Sequence, residues 1–225
     1  MKTAVVLAGC GVLDGAEIHE AVMTMYAVEK NGGSYRVFAP NVMQHHVVNH
    51  LTGEAMNESR NVMTEAARIA RGKIRPLTEY RASDFDALLF PGGFGVAKNL
   101  CTYAFDGTDC HVDRVVESAI RETHRAGKPI GALCISPVLI ARVLGEVTVT
   151  IGNDRATAED IRKLGGKHET KTHGEVSVDL KNKIVTAPCY MLNATISGFL
   201  SEIIFAKSSK NSGFLPSITS PLLSE

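Results

Sequence analysis

Short apolar runs alternate with segments of helical period along most of this chain. Residues 3–8, "TAVVLA", are continuously apolar, the pattern of a strand buried on both faces. Between residues 17 and 31, Ile18, Val22, Met25 and Val28 recur at helical spacing until Asn31-Gly32-Gly33 stops them. "SYRVFAP" predicts a second strand, residues 41–56 an irregular stretch, and residues 58–71 a second helix ended by Gly72. "ALLF" is a buried strand cut off by "PGGFG". A helix over 113–126 leads through Gly127 and Pro129 to the strand "IGAL" and then Cys134. Residues 137–144 read as the next helix, with proline in its first turn. "VTVTIG" predicts a strand and 156–164 a helix; two alternating runs within 176–187 flank Lys181-Asn182 as a hairpin. A last helix is expected over 193–206, and a Ser- and Pro-rich tail over 208–225, so residues 1–207 form one domain.

Strands joined by helices predict an α/β fold: an open, doubly wound, mostly parallel sheet sandwiched by helices, with one small antiparallel hairpin. Ligands of such sheets bind beyond the carboxyl ends of the strands. Three features meet on that edge: the turn "GCGVLDG" after the first strand, the turn at Pro91-Gly92-Gly93, and Cys134.

Composition narrows the class. Hydrophobic residues make up 44% and charged residues 21% of the 225, an ordinary globular balance. Twenty-four basic side chains against twenty-four acidic ones leave no field to attract a nucleic acid. No apolar run approaches the roughly 18 residues of a membrane span, and no signal peptide precedes the first strand. Five widely spaced cysteines, an odd number without C-x-x-C, fit a reducing compartment. The expectation is a cytoplasmic protein, or a mitochondrial matrix protein if a transit peptide has been removed.

Cys134 is the first chemical candidate. A cysteine where a strand turns into a helix lies near free N–H groups and the positive end of the helix dipole, which favour the thiolate. Gly131-x-x-Cys134 repeats the logic of a nucleophile elbow. Gly92 and Gly93, with the amide of Ile135, could supply oxyanion donors. Glu17 and Glu20 open the first helix one turn apart, and either could exchange protons with the cysteine or a substrate. His19 and Arg60 are candidate substrate contacts, as is Asn99 in "PGGFGVAKNL". Cys10, Cys101, Cys110 and Cys189 are expected to be structural. "GCGVLDG" fails as a dinucleotide fingerprint because Asp14 stands where the third glycine belongs. The histidines show no H-x-x-x-H or H-E-x-x-H spacing, so neither a metal nor a cofactor is expected.

"GCGVLDGAEIHEA", "NHLTGE", "ESRNV", "PGGFGVAKNL", "GKPIGALCISP" and "NKIVTAP" together resemble the ElbB proteins, isoprenoid-biosynthesis-associated relatives of the class I glutamine amidotransferases. These belong with the PfpI and deglycase-like proteins, and the resemblance runs from about residue 3 to about residue 205. It implies a flavodoxin-like sandwich, a homodimer, and a cysteine on the elbow at Cys134. Glu20 then matches the glutamate that hydrogen-bonds the thiol, Glu17 the acid one turn earlier, and Gly92 and Gly93 the oxyanion turn. It also implies glutathione-independent glyoxalase chemistry, turning a small α-oxoaldehyde into a hydroxy acid. One departure stands out. Ile135 follows Cys134, and "TIGNDRATAED" carries no late histidine, which argues against a glutaminase or protease. The alternatives are a non-catalytic redox sensor or partner-binding protein built around Cys134, and a subunit that delivers ammonia.

Overall fold

The computed structural model describes residues 1–196. Seven strands form one sheet in the order β3-β2-β1-β4-β5-β9-β8. They are β1 (Lys2–Val6), β2 (Ser34–Ala39), β3 (Ile74–Pro76), β4 (Ala87–Phe90), β5 (Ile130–Leu133), β8 (Ser177–Asp179) and β9 (Ile184–Ala187). All neighbours run parallel except the β8–β9 pair, which is the expected hairpin. A separate two-stranded ladder joins β6 (Thr148–Val149) to β7 (Lys167–His168).

The helices cover both faces. On one face Val5, Leu7, Val37 and Ala39 pack with Ala21 and Met25 of α1 (Ile18–Lys30) and Val62 and Ala66 of α2 (Val62–Ile69). On the other, Val6, Phe38, Leu88, Phe90 and Ile130 meet Val116 and Ile120 of α4 (Arg114–Arg125) and Leu139 and Ile140 of α5 (Ser136–Leu144). Val5 and Val6 point to opposite faces and both are buried, which is why β1 reads as an unbroken apolar run. A short α3 (Tyr103–Asp106) and α6 (Arg155–Lys163) also pack among the described residues, with short 3-10 turns and a π-helical turn over Val96–Leu100. Local sequence sets the ends: the Asp113 carboxylate accepts from the amides of Val115 and Val116 at 2.9 and 3.1 Å, and Gly127 follows the helix.

Two expectations are corrected. The helix predicted from residue 58 begins at Val62, because the Asn61 side chain caps it by accepting from the Thr64 amide. Residues ahead of it bond across instead to the irregular stretch: the Gln44 amide donates to the Arg60 carbonyl at 2.8 Å. "VTVTIG" yields only β6, outside the main sheet. Beyond Val149 the amides of Thr150 and Ile151 go to the Thr186 hydroxyl (2.8 Å) and the His168 ring (3.3 Å), which ends the ladder. The edge strand β3 was not anticipated; three residues carry too little periodicity. The helix expected from residue 193 falls almost wholly outside the described residues, and the 208–225 tail entirely so.

Since β1 is flanked by β2 on one side and β4 on the other, the sheet changes winding direction between β1 and β4. The carboxyl ends of β1, β4, β5 and β9 therefore open onto one crevice.

Candidate active site

At that edge the chain leaves β5 through Cys134, whose φ is 58°. A non-glycine residue in the left-handed region costs on the order of 1–2 kcal/mol. The strain is held in place: the Cys134 amide donates to the Ala187 carbonyl at 3.0 Å, and the buried Ser136 hydroxyl donates to the Pro91 carbonyl at 2.9 Å. The sulfur is thus lifted above the sheet at the start of α5, as a nucleophile elbow requires. Cys134 is only 8% exposed.

Two amides act on the sulfur, those of Gly93 and Ile135. The side chain of Glu20 hydrogen-bonds it from the first turn of α1. Glu20 has no exposed surface. Its Oε2 accepts from the Gly92 amide at 2.8 Å and its Oε1 from the Tyr190 amide at 3.3 Å. Burial drives its carboxyl up to about 8, with the Glu17 charge adding to the rise; the Gly92, Tyr190 and Cys134 donors oppose it.

The sulfur behaves in the opposite way to the sequence expectation. Burial first, then the Glu20 charge, raise Cys134 well above an ordinary thiol, and the Gly93 and Ile135 amides only partly offset this. A helix start favours thiolate where water can also solvate it. Here the sulfur is enclosed and faces a carboxyl group, so the resting form is the thiol.

Glu17 caps α1, accepting from the Glu20 amide at 2.6 Å, and lies 3.7 Å from Nδ1 of His19. Nδ1 of His19 also pairs with the Tyr190 hydroxyl at 3.1 Å. Glu17 and His19 thus adjoin the cysteine's carboxyl partner. Asn99 and Arg60 are committed elsewhere. The Asn99 amide donates to the carbonyls of Ala8 and Asp14, and its oxygen accepts from the His45 amide, so it clamps three loops. Arg60 pairs with Glu58 at 2.6 Å and Glu65 at 3.6 Å. The Gly92 amide is spent on Glu20, which leaves Gly93 and Ile135 as the donors near the sulfur. Tyr190 was missed; the signal was its place just past β9, at the carboxyl end of the strand beside β5. Among the described residues no cluster suited to a metal occurs, and none of the groups acting on the sulfur is a histidine.

The glycines show how tightly the two turns fit. A Cβ on Gly15 would lie 2.2 Å from the Cys10 nitrogen. At Gly92 it would lie 2.4 Å from the Cys134 Cβ and 2.7 Å from Oε2 of Glu20. Gly92→Ala must therefore push the cysteine and its acid apart. We expect a stability loss of about 1–3 kcal/mol in urea melts, together with a changed iodoacetamide rate at Cys134. An unchanged melt and labelling rate would refute this packing.

No family model matches the chain. It is 49% identical over 205 residues to the human "Glutamine amidotransferase-like class 1 domain-containing protein 3, mitochondrial", covering 87% of this chain and 76% of that protein. It is also 49% identical over 200 residues to the rat "ES1 protein homolog, mitochondrial", covering 84% and 75%. The chain belongs to the ES1 family. The chain is also similar to a crystal structure described as an isoprenoid biosynthesis protein with amidotransferase-like domain from Ehrlichia chaffeensis. That match has a TM-score of 0.86 at 39% identity and covers 91% of this chain and 94% of that one. The resemblance to ElbB proteins is borne out. A DJ-1 superfamily protein from Salmonella typhimurium shares the fold at 17% identity and a TM-score of 0.56, over 92% and 89% of the two chains. The ES1 relatives above carry "mitochondrial" in their names, the compartment that the sequence reading kept as its alternative. No helix among the described residues is long and apolar enough to cross a membrane.

Proposed function

We propose that this ES1-family protein converts small α-oxoaldehydes, such as glyoxal and methylglyoxal, to hydroxy acids without glutathione. The observation that carries this reading is the hydrogen-bonded pair of Cys134 and Glu20, with the Gly93 and Ile135 amides at the sulfur. An ionised Glu20 takes the thiol proton as sulfur adds to the aldehyde carbon, and returns it to the new alkoxide oxygen to give a hemithioacetal. During addition that oxygen develops charge, which the Gly93 and Ile135 amides are suited to meet. The same carboxylate then removes the hydrogen from the former aldehyde carbon, giving an enediolate. Delivery of that proton to the neighbouring carbon, with the hydroxyl proton passing from the first oxygen to the second, leaves a thioester on Cys134. Water cleaves the thioester to the hydroxy acid and restores the thiol. Methylglyoxal plus water becomes lactic acid, with no net oxidation and no cofactor consumed. Glu17 and His19, linked to Tyr190, border the path and are suited to orient the substrate's second oxygen.

The resting protonation of the pair sets the pH profile. Glu20 ionises only at about 8, so kcat/KM for methylglyoxal should rise with pH and level off above about 8. The test is lactate formation followed by NMR in glutathione-free buffer across that range. Absence of lactate above the uncatalysed rate would overturn the proposal, and a profile already flat at pH 6 would remove Glu20 as the base. The sensor reading fares less well at Cys134, because burial and the Glu20 charge hold it as the thiol, whereas peroxide is attacked by the thiolate.

A further inference from the structure

Two cysteines with no part in that site sit against each other. Cys101 follows the π-helical turn Val96–Leu100, and Cys110 closes the loop that begins there. The neck of the loop is an antiparallel bridge between Cys101 and Val112. The Thr102 amide donates to the His111 carbonyl, and the His111 amide to the Thr102 hydroxyl, both at 2.9 Å. Across such a neck the side chains of Cys101 and Cys110 share one face. They hydrogen-bond each other. Arg142, in the last turn of α5, donates from Nε to the Cys110 carbonyl at 2.8 Å and also hydrogen-bonds the Cys110 side chain. The two thiols are therefore unequal. The Cys101 and Arg142 donors pull Cys110 below an ordinary thiol, whereas its neighbour and burial push Cys101 far above one. Neither sulfur is exposed, while the loop that joins them, residues 102–109, has no buried residue of its own.

We infer that Cys101 and Cys110 are a dithiol that a hydroperoxide converts to an intrachain disulfide, with Cys110 as the first nucleophile and Arg142 as the residue that positions it. The Cys110 thiolate attacks one peroxide oxygen. An S–O bond forms, the O–O bond breaks, and the departing hydroxide leaves as water on taking up a proton. The Cys101 sulfur, losing its proton, then attacks the Cys110 sulfur; the S–O bond breaks and a second water leaves. Two thiols are oxidised by two electrons and one peroxide is reduced to two waters. The Val96 carbonyl, 3.3 Å from the Cys101 sulfur, is an alternative acceptor for the same S–H, so the disulfide removes that hydrogen bond from the turn that carries Asn99.

The experiment uses the full chain treated with hydrogen peroxide at neutral pH, quenched with catalase, denatured in N-ethylmaleimide and digested with trypsin without reduction. Cleavage after Lys98 and Arg114 places both cysteines in one peptide, residues 99–114. We expect that peptide to appear about 2 Da lighter than its dithiol form and free of maleimide. Arg142→Gln should slow its appearance at least about tenfold, whereas Arg142→Lys keeps most of the rate. In Cys110→Ser, Cys101 should stay labelled by maleimide throughout; in Cys101→Ser, Cys110 should accumulate as sulfenic or sulfinic acid. Both cysteines still carrying maleimide after Cys134 has oxidised would overturn the inference. So would a bond from either to another cysteine, or Cys101 oxidising first. These readouts are independent of whether the protein turns over aldehydes.

Discussion

Cys134→Ala is expected to lower methylglyoxal turnover by roughly a thousandfold or more, the scale seen when a covalent nucleophile is removed from a site whose parts act as a unit. Serine should not rescue it, since the hydroxyl is a far weaker nucleophile and burial disfavours its alkoxide further. The fold should survive. Alanine keeps the backbone amide that donates to the Ala187 carbonyl, and only one sulfur leaves the small cluster it forms with Ala187 and Cys189. We expect a stability change within about 1 kcal/mol, so lost turnover cannot be put down to unfolding. The measurement is the rate of hydroxy-acid formation by purified wild-type and variant proteins, with urea melts alongside. Equal rates would take Cys134 out of the chemistry.

Glu20→Gln should change the pH dependence of stability by an amount unusual for one side chain. The folded protein holds the Glu20 proton up to about 8, whereas an ordinary glutamate releases it near 4.5. A folded pKa raised in this way favours the folded state fully at low pH. The benefit is lost as pH climbs from about 4.5 to about 8, where the buried carboxyl must at last ionise. Across that window the loss is on the order of 3–5 kcal/mol, at about 1.4 kcal/mol for each unit. Glutamine cannot ionise. It also cannot accept from both the Gly92 and Tyr190 amides, so the variant should start slightly less stable at pH 5. It should then gain steadily on the wild type and overtake it before pH 8. Urea melts at pH 5, 6, 7 and 8 read the slope. Parallel curves for the two proteins would mean that Glu20 is not buried as a neutral acid. The same variant should also lose turnover, since its amide cannot take the thiol proton.

These two residues also mark how far the chain could be read without its structure. The α/β class, the sandwich and the β8–β9 hairpin were legible because they follow from local periods: continuous apolar strands where both faces are covered, helical spacing between them, and glycines at the ends. Asp113 and Gly127 fix α4 from its own sequence, and the glycine turn with Cys134 beyond a strand fixes the elbow. Weak or borrowed periodicity hid the remainder. β3 is too short to show a period, β6 is cut off by hydrogen bonds from residues Thr186 and His168, and α2 starts late because Arg60 is bonded to Gln44.

Sequence alone decided which side chains gather beyond the strand ends: Cys134, Glu20, Glu17, His19 and the glycine turn. The tertiary structure decided their chemical state. Whether Cys134 rests as thiol or thiolate depends on how much water reaches it and on a carboxyl group 114 residues away in the chain. The same holds for the Gly92 amide, bound to Glu20, and for Asn99 and Arg60, held by groups brought from other loops. Desolvation and long-range pairing arise only when distant segments pack, so no window of sequence contains them.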